Sequence, residues 1–223
     1  TYAFSGAKAI KEANLANVTS VGDYAFSDAI SLEKVMMPKV EFIGEYAFAT
    51  TNEAARSANA LSQLTLPNTL KSIGRYAFYK NNNLETVSIG DGISKIGEYA
   101  FSECAKLTDF VALGVVEIIE ECTFGGDTAL ETVQLNGVKK ICDAAFYNNT
   151  ALVNIDLSTV LEVGYCAFEN CTSLESVTMP KSMCQLRLYL EFIMATGCTT
   201  KRFGKNISTT LVDWYLLRAN TLH

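Results

Sequence analysis

Histidine is almost missing from this sequence: the only one is His223, the last of 223 residues. Its absence elsewhere excludes Ser/His and Cys/His catalytic pairs and His-ligated metals from the body of the chain. No apolar run approaches the roughly eighteen residues that a membrane-spanning helix needs. Phosphate-binding loops and dinucleotide fingerprints are absent, and the seven cysteines match no zinc or C-x-x-C spacing. Positive charge is scarce as well. Residues 1–180 hold 12 Lys and Arg against 22 Asp and Glu, whereas residues 181–223 hold 6 against 2. An acidic body without a basic stripe argues against nucleic acid as a partner. A targeting segment is not visible in the opening "TYAFSGAKAI". Because those residues already stand inside a motif, the expectation is a piece of a longer chain.

What is present is a repeat. Hydrophobic residues make up 49% and charged residues 19% of the chain, a globular balance rather than a disordered one. The hexapeptide "IGEYAF" occurs at Ile43–Phe48 and again at Ile96–Phe101. Its Phe recurs as Phe4, Phe26, Phe48, Phe78, Phe101, Phe124, Phe146 and Phe168, at intervals of 22, 22, 30, 23, 23, 22 and 22 residues. The long interval holds a polar, Ala-rich insertion, Thr50–Ala60. One residue before the Phe is Ala in every unit but one, where Thr123 stands; five before it is Ile or Val. Gly22, Gly44, Gly74, Gly97 and Gly164 stand four before it and are expected to supply a tight turn or a positive φ. Glu120 and Cys142 take that place in two units.

A second block follows each Phe with spacing L-x-x-V-x-L, as in "LETVSI" at Leu84–Ile89 and "LETVQL" at Leu130–Leu135. Its last four positions alternate apolar and polar, which predicts a short strand with one buried face. Pro38, Pro67 and Pro180 each sit directly after the block, where a missing N–H closes a strand cheaply. One such unit cannot bury its own apolar face, so stacked coils must share a core.

The pattern I-G-x-x-A-F-x-x-C-x-x-L-x-x-V-x-L-P over residues 2–180 resembles the BspA-like, or Treponema-type, leucine-rich repeats. The resemblance implies a right-handed parallel β-rich horseshoe of 22–23-residue coils. It also implies a non-enzymatic cell-surface or secreted protein of host-associated microbes, working in adhesion or host contact through a protein or glycan ligand. The chain departs from the pattern in keeping the Cys three after the Phe only as Cys104 and Cys171. Residues 181–223 fit no repeat and are expected to form a C-terminal cap, with a linker to a further domain as the alternative and Cys184 and Cys198 as a candidate bridge. Cys122 and Cys166 share a repeat position two coils apart, about 10 Å, too far for a disulfide.

Two surfaces are candidates for binding. The outward positions of the strand block are Lys34, Met36, Gln63, Thr65, Thr86, Ser88, Asp109, Val111, Thr132, Gln134, Asn154, Asp156, Ser176 and Thr178, a broad and mostly neutral hydrogen-bonding face. Tyr2, Tyr24, Tyr46, Tyr76 and Tyr99 stand two before the Phe, with Cys122, Ala144 and Cys166 continuing the row. That row reads either as an aromatic stripe for a ligand or as mutual stacking over core edges. Glu120 and Glu121 read as a solvated face rather than a paired-carboxylate site. The sequons at Asn17, Asn148, Asn170 and Asn206 would accept glycans only on a eukaryotic secretory route. No cofactor is expected. A structural spacer that stacks end to end through its open first coil is the alternative function.

Overall fold

A computed structural model describes residues 1–53 and 58–178. The expected cap over 181–223 and the Cys184–Cys198 pair lie outside the described residues. Within them the chain is a solenoid of parallel strands. Each coil contributes a longer strand from the L-x-x-V-x-L block: β1 Glu12–Asn14, β3 Lys34–Met36, β5 Gln63–Leu66, β7 Thr86–Ile89, β9 Asp109–Val115, β11 Thr132–Asn136, β13 Asn154–Asp156 and β15 Ser176–Thr178. A two-residue strand that the sequence pattern did not reveal follows in seven coils: β2 Ser20–Val21, β4 Phe42–Ile43, β6 Ser72–Ile73, β8 Lys95–Ile96, β10 Ile118–Ile119, β12 Lys140–Ile141 and β14 Glu162–Val163. Every pairing is parallel and joins one coil to the next.

The repeated apolar positions become ladders inside the stack. Successive Phe rings stack from Phe4 to Phe168 at centroid separations of 5.1–5.3 Å, except for 6.0 Å between Phe101 and Phe124. That step is wider because Phe110, where other coils place Ala, Val, Leu or Ile, sets its ring edge-on to both neighbours at 4.9 and 4.7 Å. Phe78, Phe101, Phe124, Phe146 and Phe168 are fully buried, as are Leu84, Leu107, Leu130 and Leu152. Burying such side chains contributes about 1.5–3 kcal/mol each.

The turn around every Phe except Phe48 contains two left-handed residues. The position two before the Phe has φ of 50–56° at Tyr2, Tyr24, Tyr46, Tyr76, Tyr99, Cys122, Ala144 and Cys166. The position two after it has φ of 57–85° at Gly6, Asp28, Lys80, Glu103, Gly126, Asn148 and Asn170. Each non-glycine residue costs about 1–2 kcal/mol in this region. The conformation is held by hydrogen bonds to the next coil: Tyr24 N donates to Glu45 O, Phe26 N to Ala47 O and Asp28 N to Ala49 O, at 2.8, 2.7 and 2.9 Å.

The glycines four before the Phe open the turn, as one half of the expectation had it, with Gly22 O accepting Ala25 N at 3.2 Å and Gly74 O accepting Ala77 N at 3.3 Å. None of them has positive φ. A Cβ on Gly44 would lie 2.7 Å from Asp23 N, and one on Gly74 would lie 2.7 Å from Gly44 C. Glycine is needed there because consecutive backbones touch. Where Glu120 replaces it, the sheet of short strands divides, into β2-β4-β6-β8 and β10-β12-β14. A cavity of about 390 Å³ at that level is lined by Glu98, Glu120, Glu121, Lys140, Cys142 and Asp143 among others.

The residue three after the Phe bridges coils through its side chain. Asn81 Nδ2 donates to Phe48 O at 2.9 Å, Asn149 Nδ2 to Phe124 O at 2.7 Å, Cys104 Sγ to Phe78 O at 3.3 Å and Cys171 Sγ to Phe146 O at 3.1 Å. Asp127 occupies this position in its coil and is fully buried. Its Oδ1 accepts Cys104 N at 2.7 Å, but its Oδ2 has no partner. Burial pushes the Asp127 carboxyl well above the usual carboxylate range. Burial likewise raises the thiol of Cys104. Cys104, Cys122, Cys142 and Cys166 are free thiols.

Candidate functional site

The outward residues of the long strands stand on one face, because strand side chains alternate and the apolar half is drawn into the core. Lys34, Met36, Gln63, Thr65, Ser88, Thr132, Gln134, Asn154, Asp156, Ser176 and Thr178 are exposed, as is Asp109; Thr86 and Val111 are half-buried. Their inward neighbours Leu64, Leu66, Val87, Ile89, Phe110 and Ala112 are buried. Register aligns the outward residues in rows: Gln63, Thr86, Asp109 and Thr132 in one, Thr65, Ser88, Val111 and Gln134 in the other.

The face is not one sheet. Strands pair as β1-β3, β5-β7-β9-β11 and β13-β15, giving three panels. The first division falls at the insertion. The second follows from a one-residue change in length. Twelve residues separate Leu61 from Ile73, Leu84 from Ile96 and Leu107 from Ile119, but eleven separate Leu130 from Ile141 and Leu152 from Val163. β9 absorbs the mismatch with a bulge: Gln134 faces Val111 and Asn136 faces Val115, so Ala112, Leu113 and Gly114 of β9 stand opposite Leu135 alone. Gly137, next in the chain, has a φ of +74°. Held to β9 in this way, β11 does not pair with β13.

The charge of the face also differs from the mostly neutral expectation. Glu85, Glu131 and Glu175 are exposed where the chain enters β7, β11 and β15, and Asp109 and Asp156 join them on the strands. The long strands from β5 to β15 carry no Lys or Arg. Earlier coils balance their charges, with Lys11 3.3 Å from Glu33. Thr132 Oγ1 donates to Asp109 Oδ1 at 2.6 Å and Thr108 Oγ1 to its Oδ2 at 2.8 Å. These hydroxyls hold the Asp109 carboxyl below its ordinary range, so it stays ionised. The acidic entry positions were legible in the sequence as the second letter of the L-x-x-V-x-L block.

The tyrosine row is a stack. Tyr2, Tyr24, Tyr46, Tyr76 and Tyr99 lie 4.6–4.8 Å apart with interplanar angles of 10–16°. Each interior ring thus has both faces covered by its neighbours, and sugar stacking needs an open ring face. Arg75 lies 4.8 Å from the Tyr76 centroid and pairs with Glu98 at 2.9 Å. Tyr99 Oη donates to Glu121 at 2.7 Å, which pushes its phenol far above the ordinary value. No group of three or more His, Cys, Asp or Glu among the described residues could hold a metal ion. No helix among them is long and apolar enough to cross a membrane.

Comparison with solved structures places this architecture among bacterial leucine-rich repeat proteins. A leucine-rich repeat protein from Bacteroides ovatus is 26% identical, with a TM-score of 0.67 over 86% of this chain and 54% of that one. The T. pallidum leucine-rich repeat protein is 24% identical, with a TM-score of 0.57 over 74% of this chain and 78% of that one. One from Eubacterium ventriosum is also 24% identical, with a TM-score of 0.65 over 79% of this chain and 45% of that one. The chain spans about half the length of the Bacteroides ovatus protein. No curated protein matches the chain by sequence. A family model for the BspA type leucine rich repeat region matches in six copies, over residues 1–55, 52–174 and 108–209. Over residues 1–174 the match coincides with the ladders of Phe, Ala and Leu that build the coils, and it runs on to residue 209, into the segment expected to fit no repeat: the chain belongs to the BspA-type leucine-rich repeat family.

Proposed function

We propose that the chain is a non-enzymatic binding protein of the cell surface or the secreted space, and that its strand face holds a protein or glycan ligand in adhesion or host contact. The observation that carries this reading is the face itself. Thr86, Ser88, Thr132 and Gln134 stand in register on a four-strand panel, with rows of hydrogen-bonding groups on a backbone fixed by a buried core. A rigid surface loses little conformational entropy on binding. Family membership supports the surface location and a macromolecular partner; solenoids present extended surfaces for this purpose.

The test is binding of the chain to a panel of matrix proteins, host-cell surfaces and glycans, beside a variant with Thr86→Lys, Ser88→Lys, Thr132→Lys and Gln134→Lys. Binding by the parent that the variant loses is the expected result. Equal binding by both removes function from the strand face. The second reading is a spacer or assembly element of a longer repeat protein, since stacked coils can continue a solenoid. Sedimentation separates the two, since concentration-dependent end-to-end association belongs to the spacer alone.

A further inference from the structure

The division between β11 and β13 opens the strand face into the core. At this level each coil's backbone donates to its predecessor: Thr108 N to Glu85 O and Glu131 N to Thr108 O at 2.9 Å, and Glu175 N to Val153 O at 2.8 Å. Among the described residues no such bond joins Val153 to Glu131. Val153 is 38% exposed, and the inward side chains Val133 and Leu135 are only half-buried, whereas their counterparts Val87, Ile89, Phe110 and Ala112 are buried. The opening leads to a cavity of about 270 Å³ whose lining includes Val133, Leu135, Ile155, Val160 and Phe146. Gln134, Asn136 and Asp156 complete its wall, with Glu131 exposed at the start of β11. Its size lies just below the usual range for small-molecule pockets, which suits a side chain better than a cofactor.

The geometry points to this break as a recognition cleft for an extended peptide segment that inserts one apolar side chain between β11 and β13 and sets Lys or Arg against Asp156 and Glu131. The inference rests on the strand-face reading and deepens it by naming partner chemistry. Charge complementarity selects the occupant: the rim is acidic and no long strand from β5 to β15 offers a cation. An apolar side chain gains by covering Val133, Leu135 and Ile155, which the coil interior leaves incompletely buried. The insertion breaks no ladder, because β11 and β13 are not joined by backbone hydrogen bonds.

The test is titration of the ¹⁵N-labelled full chain with a capped peptide of sequence KTFTK, with ETFTE and KTATK as controls. Saturable shifts over residues 132–136 and 153–157 with KTFTK, at least about tenfold weaker with either control, are expected. Asp156→Lys, on the surface, should weaken KTFTK by about tenfold without lowering the melting temperature. Val133→Phe, which fills the cavity, should abolish the shifts. Equal binding of ETFTE, or no saturable shift at β11 and β13, overturns the proposal. Shifts confined to β5, β7 and β9 overturn the cleft while leaving the strand-face reading intact, and that reading has its own test in the quadruple Lys variant.

Discussion

Replacing Asp127 with Asn should stabilise this protein, and the gain should grow with pH. Four other coils place a donor three residues after the Phe, aimed at the Phe carbonyl of the preceding coil. By the same register Asp127 meets the carbonyl of Phe101, and an ionised carboxylate has no proton to give it. Burial raises the Asp127 pKa in the folded chain, while the unfolded carboxyl keeps a value near about 3.9. Between those two values the folded state binds more protons than the unfolded one. The stability that neutral Asp127 contributes is thus complete below about pH 3.9 and is lost as pH rises through the folded value. Asn keeps the acceptor for Cys104 N and adds the missing donor, the role that Asn81 Nδ2 and Asn149 Nδ2 fill in their own coils. Leaving a buried polar atom unpaired costs about 1–3 kcal/mol, so Asp127→Asn should gain about that much at pH 7. In a chain of this size that amounts to about 2–4 °C in Tm for each kcal/mol. Urea unfolding of parent and variant at several pH values checks this, because other titrating groups cancel in the difference. A variant less stable than the parent at pH 7, or a gain that does not shrink towards pH 4, would refute the reasoning.

Three further outcomes follow from the coil-to-coil contacts. Gly44→Ala places a Cβ 2.7 Å from Asp23 N, and should cost about 1–3 kcal/mol in thermal or urea unfolding; a neutral result would show that the backbones can separate there. Tyr76→Gly should be less destabilising than Tyr76→Ala by about 1–2 kcal/mol, because both lose the ring stacks but only glycine relieves the φ of 56°. Thiol labelling of the folded chain near pH 8 should spare Cys104, which is buried with a raised pKa, and reach the half-buried Cys122 and Cys166 first; equal rates would mean that the coils open readily.

The period and the internal ladders were legible in the sequence because a stacked coil repeats its environment: every Phe meets a Phe, and every Ala meets the next backbone. The outward strand positions followed from period-two alternation over residues such as Thr86 and Ser88. The glycines were legible as turn residues but not in their need for close approach, since sequence shows that a side chain is missing but not whether φ or a close neighbour forbids it. The short strands stayed hidden because two residues such as Lys95–Ile96 carry no periodicity.

The sequence by itself determined the solenoid, its register and the composition of its face, since these depend on local pattern repeated at a near-constant interval. Only the tertiary structure decided how far each coil pairs with the next. One residue fewer between Leu130 and Ile141 is a trivial change along the chain, yet across the stack it goes with a break in register between β9 and β11 and with the lost pairing of β11 and β13. Parallel strands pair only when both reach the same level, so the cleft, the division of the face and the carbonyl opposite Asp127 all follow from contacts between coils.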